Sequence, residues 1–223
     1  MRDLLDRIPH LTDQSLPNRA RLLFVAGAVL LIVAIFLPLW QIHLVAPQYQ
    51  EGLDLYIYSH KLQGGNGGED ISEINSLNRY IGMRPIREAD FTEMRWMPFF
   101  LGGIALLALR AALFGQVKAA VDVLVLFGYF GAFSMWRFYY RLSTYASDLD
   151  PNAKADVEPF MPAMIGKDEV ANFTQYGYPR EGTFVLVIVG LCFAGAVWMG
   201  VSEAFDGAGT GEGENAGHPG SKS

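Results

Sequence analysis

The chain has 223 residues, 51% hydrophobic and 18% charged, with a mean hydropathy of +0.20 and a net charge of −6. The apolar fraction excludes a wholly disordered chain, and the acidic balance argues against a nucleic-acid partner, which calls for a basic footprint. One cysteine, Cys192, excludes an internal disulfide framework and thiolate metal clusters.

From the amino terminus, 1–21 reads as a short cytoplasmic segment carrying Arg2, Arg7, Arg19 and Arg21. The block 22–40 is apolar without a charge. At about 1.5 Å per residue it nearly crosses a hydrocarbon core of about 30 Å. It exceeds the apolar stretch of a signal peptide, and Pro38-Leu39-Trp40-Gln41 follows in place of a small-residue cleavage site, so it reads as an uncleaved anchor. Further spans are expected at 96–115, 121–141 and 183–204, with a cytoplasmic turn over 116–120. Aromatics near the span ends (Trp40, Trp96, Trp136 and Phe184) suit the headgroup level.

The expected fold is mainly α: four transmembrane helices with a small mixed α/β cap built from two long extracytoplasmic loops. Lys and Arg density near the spans favours both termini inside, although Arg95, Arg137 and Arg141 fall on the wrong side of that rule. Arg110 and Asp122 lie near the inner boundary on adjacent spans. A structural ion pair is the plain expectation for them, with snorkelling of Arg110 or an ion pathway as alternatives.

The first loop, 41–95, is not a linker. Leu53 to Tyr58 alternates apolar and polar residues, which predicts a strand. Gly64 to Gly68 predicts a turn. Asp70 then opens a helix, with Glu73 as its capping-box partner, Ile71, Ile74, Leu77 and Ile81 as its apolar stripe, Asn75, Asn78 and Arg79 on other faces, and Pro85 as its stop. In the second loop, 142–182, Asp148 to Ala153 reads as a turn, and the Pro, Asn and aromatic content after it as an extended segment packed on the first loop. The Gly-rich stretch 205–223 reads as a disordered cytoplasmic tail.

Catalytic motifs are missing: there is no nucleophile elbow or phosphate loop, and Cys192 falls in mid-span, where a thiol stays neutral. The expectation is a protein that is not an enzyme. Glu51 and Asp54 flank the strand start, where solvated carboxylates are the default reading. No two histidines have helical metal spacing; His43, just past Trp40, suits an interfacial role. Met161 and Met164 form an M-x-x-M whose thioethers suit Cu(I), although methionine is also an ordinary gap filler.

The residues outside the spans carry a resemblance. Pro38-Leu39-Trp40-Gln41-Ile42, Ala46-Pro47-Gln48-Tyr49 with Glu51-Gly52-Leu53, Ile74-Asn75-x-Leu77-Asn78-x-Tyr80-Ile81-Gly82-Met83, Leu149-Asp150-Pro151-Asn152-Ala153 and Asn172-Phe173 resemble a family of bacterial four-span inner-membrane proteins. Its members are encoded beside periplasmic copper enzymes, in the nitrous oxide reductase clusters of the Sec-exported clade. That family tends to have His where Arg79 and Ser147 stand here, and Arg79 cannot ligate a metal. The resemblance implies an accessory protein for maturation of, or electron delivery to, a periplasmic copper enzyme. Glu51, Asn75, Asn78 and Arg79 would then form the docking surface, and Met161, Met164 and His43 the possible copper ligands. A cofactor-free scaffold subunit of a respiratory or oxidase complex is the alternative.

Overall fold

The computed structural model describes residues 15–150, 153, 160, 162–170 and 172–215, the side chains of 206–215 excepted. It is mostly helical with a small antiparallel sheet. In chain order, α1 is Asn18–Ile35, β1 Trp40–Ala46, β2 Tyr49–Ile57, β3 Leu62–Gly64, α2 Asp70–Tyr80, α3 Glu93–Phe114, α4 Val117–Ser147, β4 Gly166–Val170, β5 Phe173–Pro179 and α5 Glu181–Asn215. Four helices, α1, α3, α4 and α5, are long and apolar enough to cross a membrane.

Several bounds differ from the sequence reading. The first helix ends at Ile35, and Trp40 opens β1, because Trp40, Ile42, Leu44 and Ala46 alternate inward. Trp40 is therefore buried; its indole N–H donates to the Met164 carbonyl at 3.0 Å and its ring lies 5.2 Å from that of Phe138. The turn after α3 shrinks to Gly115 and Gln116. At the other end, α5 runs to Asn215, into the stretch read as a disordered tail; extending a helix needs no new nucleus.

The chain divides into two compact units. The first holds residues 1–29, 104–128 and 188–223. Its interior combines small residues that let backbones approach (Ala20, Ala28, Ala108, Ala112, Ala120 and Ala196) with the larger Phe24, Val117, Val189 and Phe193, all buried. Phe193 stacks on Phe24 at 4.9 Å and meets Phe127 edge-on at 5.7 Å. A Cβ at Gly27 would run into the Phe193 ring. Other large apolar side chains face outward, among them Leu22, Leu113 and Trp198. So much exposed large apolar surface departs from the ordinary soluble pattern.

The second unit holds residues 30–103 and 129–187. Its five strands run in the order β3-β2-β1-β5-β4, all antiparallel. Strand β5, from the second loop, pairs along β1, from the first, with Ile42 opposite Gly177 and His43 opposite Tyr176. The two loops thus form one sheet. Helix α2 covers one face of it, burying Ile74, Leu77 and Ile81 on Leu44, Leu53, Leu55 and Phe173. The expected capping box does not form: Asp70 instead accepts the Asp54 backbone N–H and the Asn66 amide, each at 2.8 Å, while Glu73 accepts the Tyr49 hydroxyl. A hydroxyl from the β2–β3 turn closes the end of α1, with Ser59 Oγ donating to the Ile35 carbonyl at 3.1 Å.

Candidate functional site

Alternation in β1, β2 and β5 sends Gln41, His43, Asp54, Tyr56, Tyr176 and Tyr178 to the sheet face opposite α2. The register lines them up in rows: Asp54, His43, Tyr176 and Lys167 in one, Tyr56, Gln41 and Tyr178 in the next. Asp54 Oδ1 joins the rows, accepting from Gln41 Nε2 at 2.6 Å and meeting His43 Nδ1 at 2.8 Å. Arg180 donates to Gln41 Oε1 at 3.0 Å and lies over the Tyr56 ring at 5.9 Å. The rings of Tyr176 and Tyr178 stack at 6.1 Å with only 10° between them.

This face is held in place by its own contacts. The His43 ring sits against Gly52, whose φ of +84° and missing Cβ leave it room. Partial burial, aided by the Asp54 carboxylate, pushes the Tyr56 phenol above its ordinary range. His43 and Asp54 form a dyad of a base and its orienter. Among the described residues, however, no hydroxyl or thiol is hydrogen-bonded to His43. The arrangement can present polar and aromatic groups in fixed positions; among the described residues it has no third member of a nucleophilic triad.

The proposed metal ligands are not gathered by contacts. His43 is engaged by Asp54 on the face opposite α2. Met164 enters through its backbone carbonyl, which takes the Trp40 N–H. Met161 lies outside the described residues. Among the described residues no three His, Cys, Asp or Glu side chains group as a metal site.

The expected docking residues separate. Glu51 and Arg79 are exposed. Asn78 is not available to a partner: it is buried at 5% exposure, because α2 turns it inward beside Ile74 and Leu77. Asn75 is occupied in holding the chain after α2, with its Nδ2 donating to the Ile86 carbonyl at 3.1 Å and its Oδ1 accepting the Ile86 N–H at 2.6 Å. The Arg110–Asp122 pair does not form among the described residues. Both side chains are exposed, and Arg110 lies over the Phe114 ring at 5.8 Å.

A different charge cluster does form. Glu93 accepts two bonds from Arg141, both at 3.1 Å, and one from Arg137 at 3.5 Å. Neutralisation by Glu93 explains how these two arginines stand at the cap end of α4. Glu93 gave no signal in sequence, since its partners lie more than forty residues away. Gln41 and the strand position of His43 are missed by the sequence reading, although the alternation of β1 carries a signal for them.

Beneath the sheet, on the α2 side, lies an apolar cavity of about 80 Å³. Ile42 and Leu55 of the sheet, Ile74 and Asn78 of α2, and Phe138 and Tyr145 of α4 are among its walls. The Asn78 Nδ2 has no hydrogen-bond partner. No protein-family model matches the chain, and no curated protein matches it significantly.

Proposed function

We propose that the chain is an integral membrane accessory protein whose sheet cap docks a protein partner outside the cytoplasm. Four apolar helices with outward-facing large side chains and small-residue packing support the membrane reading. Basic residues at Arg19, Arg21 and Lys118, against a cap whose Arg137 and Arg141 are neutralised by Glu93, favour termini inside and the cap outside, in a bacterial inner membrane. The observation that carries docking is the fixed face formed by His43, Asp54, Gln41, Arg180 and the Tyr176–Tyr178 stack. Tyrosine and arginine concentrate at protein interfaces because they bury large area and lose little conformational freedom.

The partner proposed is a periplasmic copper enzyme or its copper donor, and the role is maturation of that enzyme or electron delivery to it. The support is the resemblance of the cap residues. Copper is read as the partner's cargo, with Met161, Met164 and His43 as the side chains to test for direct contact. Full-length protein captured from native membranes is expected to bring down a copper-containing polypeptide. Tyr176→Ala/Arg180→Glu is expected to lose that capture while Ser76→Ala keeps it. Copper-free eluates from both would contradict the proposal.

A scaffold role inside a respiratory complex has one observation in its favour. The apolar window of α4 is only 11% buried, against 33% for α1 and α3. Tyr129, Phe133, Trp136 and Tyr140 lie along it, all exposed. Co-migration with haem polypeptides on native gels would favour this reading, and a monomer in mild detergent would remove it.

A further inference from the structure

The cavity beneath the sheet has features of a ligand site that the docking face does not use. Its walls are almost wholly apolar, and five of them are aromatic: Phe91, Phe138, Tyr145, Phe160 and Phe173. Phe91 and Tyr145 stack face to face at 5.8 Å, with 9° between their planes. Flat walls of this kind suit a flat ring. Into this setting α2 turns Asn78, a buried amide whose Nδ2 has no hydrogen-bond partner. A buried donor without a partner carries the uncompensated cost of its desolvation. A hydrogen-bond acceptor brought in by a ligand would recover that cost.

Three other walls are polar: Arg141, Tyr145 and the neutral, buried amide of Gln175. Arg141 is already committed to Glu93 by two bonds at 3.1 Å. The Tyr145 hydroxyl points to Asp90 at 3.5 Å. The free group is a neutral donor, which selects a neutral carbonyl over a carboxylate. An acyl chain entering tail-first would put a methyl group against the amide and leave it unpaired. A ring carbonyl satisfies both the donor and the flat walls. The volume, about 80 Å³, is well below the roughly 300–1,000 Å³ that encloses a drug-sized ligand. It admits the edge of one ring, with the substituents and tail left outside.

We infer that this cavity binds the ring edge of a lipophilic quinone, with the Asn78 amide donating to a ring carbonyl. The inference rests on the membrane part of the functional reading, since a bilayer supplies such a molecule, and not on the docking face.

The test uses the full chain in mild detergent, with a decyl-tailed benzoquinone as probe and a decanoate ester as the ring-free control. The quinone is expected to raise the Tm in a concentration-dependent way, and the ester to leave it unchanged. Asn78→Leu removes the unpartnered amide at similar volume. The unliganded variant is expected to be at least as stable as the parent, yet to bind the quinone at least tenfold more weakly. Ile86→Phe, which fills the cavity, is expected to abolish the shift and answers the same question should Asn78→Leu fail to fold. No shift in the parent, an equal shift with the ester, or full affinity in both variants would each overturn the assignment. Partner capture by Asn78→Leu is expected to be normal, and quinone binding by Tyr176→Ala/Arg180→Glu likewise, so the two proposals fail separately.

Discussion

Asn75 and Asn78, neighbours on α2, differ in what their amides do. Asn75 clasps the Ile86 backbone with both ends of its amide, so Asn75→Ala strands a part-buried N–H and carbonyl. Urea denaturation in detergent is expected to show a loss of about 1–3 kcal/mol. Gly52 is constrained by two conditions at once, a φ of +84° and the His43 ring against it. Gly52→Ala is expected to displace that ring and to cost more than the 1 kcal/mol or so usual for a left-handed non-glycine residue. Two tyrosines give the cap a pH dependence. Tyr49 is held protonated chiefly by its hydrogen bond to Glu73, and Tyr56 chiefly by burial. Both phenols stand above their unfolded value near 10. The stability they contribute is complete below that pH and is lost as pH rises through the folded-state values. Unfolding midpoints are expected to fall in that alkaline window, and Tyr56→Phe to flatten the fall; an unchanged slope in the variant would assign it elsewhere.

Among the elements, β1 shows how much was legible. Trp40-Gln41-Ile42-His43-Leu44-Val45-Ala46 alternates at period two, but it follows an apolar helix without a strong break, so Trp40 reads as the end of a span. Only pairing with β2 and β5 decides the matter, and pairing is not local. The stripe of α2 was legible because helical spacing is local, whereas Asn78 was misassigned because a polar residue beside that stripe reads as outward-facing. The Glu93 cluster could not be read, since its partners arrive from another helix. Glu93→Gln leaves Arg141 and Arg137 half-buried without a carboxylate. A loss of about 2 kcal/mol is expected, as for hydrogen bonds to charged groups, and thermal unfolding measures it.

For the whole molecule, four long apolar helices are legible from the apolar runs, because runs of that length have few other uses. The sheet that joins the two loops was not, since no motif announces which strands will pair. In the helical unit, Gly27→Leu is expected to push Phe193 out of its stack with Phe24 and to broaden or lower the thermal transition in detergent. The central claim is that the face carrying His43, Asp54 and the tyrosine stack meets a protein partner outside the membrane. Photocrosslinking in native membranes, with the reactive side chain placed at Tyr176, tests it most directly. The account predicts one discrete adduct with a copper-containing extracytoplasmic polypeptide, absent when the reactive group is moved to Leu55 on the covered face. Adducts with lipid alone, or with cytoplasmic proteins, would contradict it.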